Sequence, residues 1–418
     1  MLLFDVVYLV FLLLALPLWA KFLLKKEYRR ILKHRLSPGI NYSKEKRIWI
    51  HAVSVGEVRS LKNLVEQLKE KYKEKEIVLS VTTPAGYECA RKEYPHIPVI
   101  NAPLDFSFAI KRFIKKINPQ LMIFNELEVW PNWVLILRRK QIPMLLINGR
   151  VSDLAFKRYK KGLFFLKFFF KRIDHYLVQA ELYKKRFQEL HIPGEKITVS
   201  GNIKADEACK GRAFLSSKQE IMEFLGIKPD GEKIVTASST HQSDEQLIFP
   251  IINQLGEDFL FIIVPRHLTR LKEIETLLKK HQVDYSIWSK TKSPGITPGK
   301  VLIFDKMGYL FHILKITDIV FMGGTLEQKI GGHNLYEPAS LGKFIVGGPY
   351  YNNFPDIGKE LVEKGVYKIV KNSHECVQII RHYQNIDRKD ISKNAVSTVS
   401  RRRGSIQCIL KEIHRFIA

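Results

Sequence analysis

The sequence predicts an α/β protein with two doubly wound, Rossmann-like domains, preceded by an apolar N-terminal helix. Short runs of apolar and β-branched residues alternate with stretches of helical periodicity, as in parallel βαβ units with right-handed crossovers. The alternation occurs in two successive series, and 418 residues are enough for two domains that each bury a core. In such sheets, ligands bind beyond the carboxyl ends of the strands.

The N-terminal segment, residues 1–26, is predicted to be a membrane anchor. Residues 6–20 are uncharged and apolar, and Phe22–Leu24 continue the run beyond Lys21. A helix over residues 1–24 would be about 36 Å long, enough to cross the hydrocarbon layer. An anchor embedded in one leaflet, a cleaved signal peptide and a core helix are the alternatives. The flanking cations predict that the rest of the chain lies on the cytoplasmic side; they are Lys21, Lys25, Lys26, Arg29, Arg30, Lys33 and Arg35.

The first domain is predicted to cover residues 38–205, because the βα alternation begins after Ser37-Pro38-Gly39. Apolar runs of strand length alternate there with longer amphipathic stretches. The candidate strands are Arg47–Val53, Ile77–Val81, Pro98–Asn101, Leu121–Phe124 and Pro143–Ile147, and the candidate helices are Glu57–Tyr72, Ala85–Tyr94, Phe106–Ile117 and Trp133–Lys140.

The second domain is predicted to cover residues 206–390, with a linker around residues 201–215. The series of apolar runs resumes after Gly201-Asn202-Ile203-Lys204. We therefore expect a second parallel sheet, with the two domains facing each other. Its candidate strands are Ile234–Ala237, Phe259–Val264, Val301–Phe304, Ile319–Phe321 and Phe344–Val346.

Composition indicates a polyanionic partner. The chain has 68 Lys and Arg against 42 Asp and Glu, a formal charge of +26 and a pI near 9.7. An anionic membrane, a phosphorylated substrate and nucleic acid all fit this charge, but no zinc-finger, RNP-like or helix-turn-helix pattern is present, so no specific nucleic-acid partner is expected. The four cysteines lack CxxC spacing and predict neither a disulfide framework nor a metal cluster.

The glycine-rich stretch from Met322 to Pro338 predicts a nucleotide site. Gly323 and Gly324 follow a buried strand, so that backbone N–H groups can approach a phosphate closely. Asn334 is predicted to cap a helix through Leu341, which places Glu337 in its first turn. A carboxylate beside a bound phosphate is better explained as an acceptor for ribose hydroxyls. A further glycine pair follows closely in Gly347-Gly348-Pro349.

Glu57 is the candidate general base. It follows a predicted strand through Ser54-Val55-Gly56, where the glycine indicates a tight strand-to-helix turn. A buried carboxylate at this edge can take a proton from an attacking hydroxyl, but an acid in a first helical turn also simply complements the helix dipole. Glu126 and Glu128 follow another strand, and their spacing does not decide which faces the site.

Polar residues follow two strands of the second domain. Arg266 comes directly after a hydrophobic strand and is either a fork for phosphate or carboxylate, or an exposed charge at a helix start. Ser239 and His241 end another strand, where they either contact ligand or cap the next helix. His333 is a base, a phosphate donor or an ordinary loop residue.

In their order along the chain, these motifs resemble those of bacterial 3-deoxy-D-manno-octulosonic acid (Kdo) transferases of lipopolysaccharide synthesis. The resemblance covers nearly the whole chain. Two stretches depart from the family pattern: Ser243-Asp244-Glu245 where a Glu-Gly-Glu-like run is usual, and Asn125–Glu128 in place of a version with threonine. The motifs are Ile48–Glu57, Glu126–Asn132, Ile147–Ser152, Gly201–Lys204, Ser238–His241, Val264–His267 and Gly331–Pro338.

The resemblance implies a GT-B glycosyltransferase with two domains facing across a cleft. It implies inverting transfer of Kdo from CMP-Kdo to a lipid A precursor (lipid IVA) at the cytoplasmic side of the bacterial inner membrane, without a metal or other cofactor. Glu57 matches the family's general base, and residues 391–418 are expected to form a helix returning to the first, acceptor-binding domain.

From the residues and the resemblance together, Arg266, Gly324, Asn334 and Glu337 are assigned to donor binding in the second, CMP-Kdo-binding domain. Arg59 and Arg150 either grip an acceptor phosphate or form structural ion pairs. The alternatives are a UDP-sugar-dependent GT-B enzyme acting on a membrane lipid and a non-catalytic lipid A or nucleotide-binding protein. The further candidate contacts to donor or acceptor are Ser54, Gly56, Arg59, Glu126, Arg150, Lys204, Ser239, His241 and His333.

The segment Phe156–Ile173 is rich in lysine and phenylalanine. This composition is typical of a helix that lies in the membrane interface, and equally of an aromatic core helix edged with solvated lysines. Gly162 weakens either helix.

Overall fold

The computed structural model describes residues 2–14, 26–162, 168–213, 216–227, 233–290 and 301–417. The chain forms two compact units. Unit 1 comprises Met1–Asp206 together with Gly404–Ala418, and unit 2 comprises Glu207–Arg403. The chain thus leaves unit 1 once and returns to it at its C-terminus.

Unit 1 is built on a seven-stranded sheet in the order β3-β2-β1-β4-β5-β6-β7, in which all neighbouring strands are parallel. The α/β prediction is therefore confirmed for this unit. The strands are β1 Arg47–Ala52, β2 Ile77–Val81, β3 Val99–Asn101, β4 Pro119–Asn125, β5 Met144–Gly149, β6 His175–Val178 and β7 Ile197–Val199.

Both faces of this sheet are buried. In β1, Trp49 packs into one hydrophobic cluster, whereas Ile48 and Ile50 pack into another, as the alternation of a strand requires. The helices that carry residues of unit 1 are α1 Leu2–Leu14, α2 Lys26–Leu36, α3 Val55–Ser60, α4 Lys62–Lys71, α5 Pro84–Glu93, α6 Ser107–Ile117, α7 Pro131–Arg139, α8 Asp153–Lys161, α9 Glu181–Glu189, α10 Ile203–Ala213, which continues into unit 2, and α19 Ser405–Ile417.

Unit 2 contains a second seven-stranded parallel sheet, in the order β10-β11-β9-β8-β12-β13-β14. The strands are β8 Lys233–Thr240, β9 Phe259–Pro265, β10 Tyr285–Ile287, β11 Val301–Ile303, β12 Ile319–Met322, β13 Phe344–Gly347 and β14 Tyr367–Ile369. The helices are α11 Lys218–Leu225, α12 Gln242–Leu255, α13 Leu271–Lys280, α14 Leu310–Ile316, α15 Tyr336–Ser340, α16 Pro355–Glu363, α17 Ser373–His382 and α18 Arg388–Ser400.

Each sheet has a point where consecutive halves of the chain extend in opposite directions, between β1 and β4 in unit 1 and between β8 and β12 in unit 2. At such a switch point, the loops after the two strands diverge to opposite sides and leave a crevice at the carboxyl edge. The ends of β1, β4, β8 and β12 are therefore the places where each unit can hold a ligand.

Several predicted boundaries differ from the structure. The predicted helix over Glu57–Tyr72 is interrupted at Leu61, which is buried and separates α3 from α4. Residues 201–215, predicted to be a linker, contain α10, and the division between the units falls within that helix. The predicted single C-terminal helix over residues 391–418 is two helices, α18 in unit 2 and α19 in unit 1.

The predicted membrane anchor lies only partly within the described residues. Helix α1 covers Leu2–Leu14, and residues 15–25 lie outside the described part of the chain. Within the described ranges, no helix is both long enough and apolar enough to cross a membrane.

The predicted interfacial segment, Phe156–Ile173, is not one uniform surface. Helix α8 ends at Lys161, and residues 163–167 lie outside the described ranges. Phe169 and Phe170 are buried in the unit 1 core, whereas Phe168 is exposed. The segment therefore has both core and surface positions.

Replacing Ile409 with Ala should lower the free energy of unfolding of unit 1 by about 2–5 kcal/mol, since this α19 side chain is fully buried against the sheet. Urea denaturation followed by circular dichroism measures the change. The exposed Lys411→Ala on the same helix is the control. Equal stability of the two variants would contradict the packing of α19 on unit 1.

Candidate functional site

Glu57 lies at the switch point of unit 1, in the first turn of α3. Its Oε2 accepts hydrogen bonds from the Val53 backbone N–H at 3.0 Å and from Asn125 Nδ2 at 3.3 Å, and its Oε1 accepts one from Ser54 Oγ at 3.2 Å. Asn125 is the last residue of β4, so both strand ends at the switch point hold the carboxylate. These contacts keep the side chain in one place.

Burial, together with the nearby Glu126 carboxylate, raises the pKa of Glu57 to about 7. The hydrogen bonds from Val53 and Ser54 act in the opposite direction, because they favour the charged form. The pKa is therefore close to neutral pH, where a carboxylate both exists in quantity and accepts a proton well.

The loop after β4 carries the other two acids. Glu126 adopts a positive φ of 57°, which is uncommon for a residue with a side chain, and its Oε2 forms an ion pair with Arg150 Nε at 2.9 Å. Glu128 accepts a hydrogen bond from Trp130 Nε1 at 3.0 Å, and burial raises the pKa of Glu128. Both carboxylates act electrostatically on Glu57, with Glu126 the stronger.

The remaining unit 1 candidates have distinct surroundings. Ser54 is the N-cap of α3. Gly56 lies within the first turn of α3, where an added Cβ would meet only Ser54 Oγ at 3.9 Å, so the tight turn that we predicted does not require glycine. Arg59 pairs with Glu93 at 4.0 Å. Lys204 is the second residue of α10, and its backbone N–H is bonded to a side-chain oxygen of Asn202.

At the switch point of unit 2, strand β8 ends in a bulge. Ser239 has a φ of 55°, and the pairing of β8 with β9 shifts register across it. Gly323, after β12, passes so close that an added Cβ would lie 2.3 Å from Ser239 O. Only glycine fits there, and Gly324 follows with a φ of 73°, another conformation that favours glycine.

Asp244 ties these two strand ends together. This fully buried carboxylate accepts hydrogen bonds from His241 N at 2.9 Å and from Gly324 N at 2.8 Å through the same oxygen. Burial raises the pKa of Asp244 to about 6. Gly323 N also bonds Ser238 O at 2.9 Å. In this structure, therefore, the glycine N–H groups that we predicted to approach a phosphate are already hydrogen-bonded within the protein.

The histidines of unit 2 form a small cluster. His241 Nε2 and His333 Nε2 are 2.9 Å apart with nearly parallel rings, so one of the two nitrogens carries the shared hydrogen. The ring of His267 lies edge-on to His241. Burial lowers the pKa of His241, and His267 and Arg266 lower it further. A ligand anion here would meet a neutral His241 at neutral pH.

Arg266 is exposed directly after β9, and its backbone N–H is bonded to Thr240 O at 3.1 Å. The nearby Arg270 is engaged differently. Its guanidinium bonds both oxygens of the fully buried Glu245, at 3.1 and 2.7 Å. Arg270 therefore stabilises the fold around Glu245, while Arg266 faces solvent.

Asn334 and Glu337 contact each other at the start of α15. Asn334 Nδ2 donates to Glu337 Oε1 at 3.0 Å, and Asn334 Oδ1 accepts from Tyr336 N at 3.1 Å. The N-cap is Leu335, so the prediction that Asn334 caps this helix is wrong by one residue, although its side chain does bond the first helical N–H. The preceding glycine loop is held in shape, because Gly332 N bonds Gly324 O at 2.9 Å. The helix itself is shorter than predicted and ends at Ser340.

Two contributors were not assigned from the sequence. Asn125 holds Glu57, and Asp244 holds the glycine turn. Asp244 carried a usable signal, since an acid three residues after a helix N-cap often bonds back to the cap. Asn125 carried none, because strand pairing alone brings it to Glu57. Among the residues that the structure describes, no group of three His, Cys, Asp or Glu side chains could hold a metal ion.

Residues 28–207 match the family described as 3-deoxy-D-manno-octulosonic-acid transferase (kdotransferase). A 3-deoxy-D-manno-octulosonic acid transferase of Chlamydia pneumoniae is 32% identical over 374 residues, which cover 87% of this chain and 83% of that protein. A bifunctional glycosyltransferase/methyltransferase of Fusobacterium nucleatum is 36% identical over 391 residues, covering 91% of this chain and only 59% of the relative. The chain thus spans about three fifths of the bifunctional protein.

The fold also resembles solved structures. A glycosyltransferase from Rickettsia africae superposes with a TM-score of 0.62 and 16% identity, over 90% of this chain and 99% of that one. At this identity the likeness concerns the fold alone. It agrees with the predicted GT-B-like architecture of two parallel α/β sheets.

Replacing Glu57 with Gln should raise the free energy of unfolding above about pH 7 by roughly 1–3 kcal/mol. The pKa is raised from 4.5 to about 7 on folding, so the ionisation of Glu57 destabilises the folded state increasingly as the pH rises above 4.5, and this cost is complete above about pH 7. The gain should shrink as the pH falls from 7 towards 4.5, where the carboxyl is protonated in both states. Urea titrations across this range measure it.

The matched control is Glu66→Gln, an exposed position on α4, where the substitution should leave the free energy of unfolding nearly unchanged. A Glu57→Gln gain that is equal at both ends of the range would contradict the raised pKa.

Proposed function

The chain belongs to the 3-deoxy-D-manno-octulosonic acid transferase family, and we propose that it transfers Kdo from CMP-Kdo to a lipid A precursor, lipid IVA, with inversion at the anomeric carbon. The position and protonation of Glu57 carry the proposal. In the proposed step, the acceptor oxygen forms a bond to the anomeric carbon while the bond from that carbon to the CMP phosphate breaks. The acceptor proton passes to Glu57.

Glu57 meets two requirements of a general base. Its pKa of about 7 lets it accept a proton and then release it to water at neutral pH. Its three hydrogen-bond donors fix the position of the carboxylate, so the base is already oriented before the acceptor binds. Asn125 and Ser54 act in this scheme as positioning residues.

Unit 2 supplies groups suited to the donor. CMP-Kdo carries one phosphodiester and one carboxylate, so its site needs cations and N–H donors. The exposed Arg266 guanidinium is such a group. The N–H groups of Gly323 and Gly324 already bond Ser238 O and Asp244, so we propose that this turn contributes close backbone approach to the donor rather than N–H donors. Asn334 and Glu337 offer an amide and a carboxylate for the ribose hydroxyls. Asp244 fixes the shape of this glycine turn by accepting a hydrogen bond from Gly324 N.

The proposed acceptor and the proposed location are supported by the net charge of the chain and by its apolar N-terminus. A bisphosphorylated lipid held in the cytoplasmic leaflet of the bacterial inner membrane suits a chain with a formal charge of +26. We propose that residues 1–26 anchor the chain in that membrane. Arg150 is a candidate contact for an acceptor phosphate, although it also pairs with Glu126.

Glu57→Gln should lower kcat for Kdo transfer by about 10²–10⁴-fold, because the amide cannot accept the proton. The assay uses the full chain, CMP-Kdo generated in situ and tetraacylated lipid A precursor, with product detected by mass. Glu66→Gln is the control. Parent-like turnover by folded Glu57→Gln would refute the role of base, and transfer from a UDP-sugar in place of CMP-Kdo would refute the donor.

Arg266→Gln should raise KM for CMP-Kdo by about 10–100-fold, as expected when a charged hydrogen bond to an anion is lost. The kcat value should change less, since the residue is proposed to bind the donor in the ground state too. Initial rates at varied donor concentration separate the two constants. The exposed Lys279→Gln in the same unit should leave both unchanged; an unaltered KM in Arg266→Gln would exclude Arg266 from the donor site.

A further inference from the structure

Among the described side chains of helix α1, those that pack on the rest of unit 1 lie in its first half. Phe4, Asp5 and Tyr8 are partly buried against the unit, whereas the described side chains from Leu9 onward are exposed. Phe11 is 69% exposed and Leu14 is 75% exposed. An apolar helix end that projects in this way is poorly suited to water.

The contacts of this first half are polar and specific. Asp5 Oδ1 accepts hydrogen bonds from Ser107 N at 2.8 Å and Asn132 Nδ2 at 3.0 Å, and Asp5 Oδ2 also accepts from Ser107 Oγ. Tyr8 donates to Asp105 Oδ2 at 2.7 Å. Asp105 in turn accepts from the backbone of Asn132 at 3.2 Å. We call Asp5, Tyr8, Asp105 and Asn132 the latch.

The latch holds α1 against the first turns of two other helices, α6 and α7. Ser107 begins α6 and Asn132 is near the start of α7, so the Asp5 and Asp105 carboxylates satisfy N–H groups that the helices leave unpaired. An acid in an apolar helix is costly where lipid surrounds it. Asp5 is therefore better explained as a protein contact than as part of a lipid-facing surface.

Two exposed aromatic side chains are linked to α1 through ring contacts. Phe4 packs on Phe169, which packs on Phe168, and Tyr8 packs on Phe106, which packs on Phe108. Phe168 is 48% exposed and Phe108 is 47% exposed.

Each of these exposed rings has an arginine against it. The guanidinium of Arg172 is 3.4 Å from the centroid of Phe168, and that of Arg112 is 5.7 Å from the centroid of Phe108. Such pairs present both an apolar and a cationic group to one surface. This combination suits the interface of an anionic bilayer.

The latch is also adjacent to the loop that carries Glu126 and Glu128. Trp130, 44% exposed, immediately precedes α7, and Asn132 follows it by two residues. At the other end of the loop, Asn125 donates to Glu57. The orientation of α1 on unit 1 is thus connected through a few residues to the candidate base.

We propose that the latch sets one orientation of unit 1 on an anionic phospholipid bilayer. In this orientation the exposed half of α1 enters the hydrocarbon, Phe108 and Phe168 lie in the interface, Arg112 and Arg172 meet lipid phosphates, and Trp130 is held at the headgroup level. This inference rests on one part of the proposed function, namely that the acceptor is a membrane lipid. It assigns α1 a role beyond that of a flexible tether.

The test uses the full chain and vesicles of phosphatidylcholine and phosphatidylglycerol with brominated acyl chains. Quenching of Trp130 is taken as the difference from Trp130→Phe in each background. Asp5→Leu should keep or raise the vesicle-bound fraction, since an acid becomes apolar, yet lower Trp130 quenching by about twofold or more. Val7→Leu, on the exposed side of α1, should change neither.

Tyr8→Phe removes only the hydrogen bond to Asp105. This milder variant serves if Asp5→Leu does not fold. It should reduce Trp130 quenching less than Asp5→Leu and leave binding unchanged. Unaltered quenching in both variants, with the fold retained, would overturn the latch.

The exposed aromatic surface has its own variant. Phe108→Ser combined with Phe168→Ser should weaken binding to the anionic vesicles by about tenfold, because two partly exposed rings leave the interface. Tyr42→Ser, an exposed aromatic near the far end of α6, should not. Unchanged binding, or a chain that dimerises through this surface and no longer binds vesicles, would contradict the proposal. None of these measurements depends on transfer, so they stand apart from the Glu57 result.

Discussion

Three hydrogen-bond donors surround the Glu57 carboxylate, and they come from the ends of two strands that are distant in sequence and adjacent in the sheet. The site exists only because β1 and β4 pair in parallel, which brings Asn125 to Glu57. Burial in this arrangement makes ionisation costly, and the donors keep that cost from excluding the charged form. A carboxylate poised in this way is the chemical basis of the proposed transfer.

Unit 2 also has a buried carboxylate at the switch point of its sheet, but this carboxylate has a structural role. That switch point lies between β8 and β12, and the residues proposed for the donor follow the strands at and beside it. Here the buried carboxylate, Asp244, is directed at backbone N–H groups and shapes a glycine turn. Burial raises the pKa of both carboxylates. We propose that Glu57 takes part in the chemistry, whereas Asp244 stabilises the glycine turn.

The sequence was most informative where periodicity and turn chemistry act locally. The strand Ile77–Val81 was predicted with its observed bounds, and the parallel α/β class was confirmed in both units. The strands β6, β7, β10 and β14 were missed, and three of these four are edge strands. Each has only three or four residues and so shows little alternation. The role of Asn125 was missed for a different reason: its contact with Glu57 depends on the register of two strands, which no local pattern reveals.

The dependence of transfer on pH tests the central claim most directly. For the full chain with CMP-Kdo and lipid A precursor, kcat/KM should fall about tenfold per pH unit below about pH 7 and be level above it, as expected for one essential base with a pKa near 7. A rate that is unchanged from about pH 5.5 to about 8.5, with chemistry limiting, would show that the Glu57 carboxylate does not take the proton.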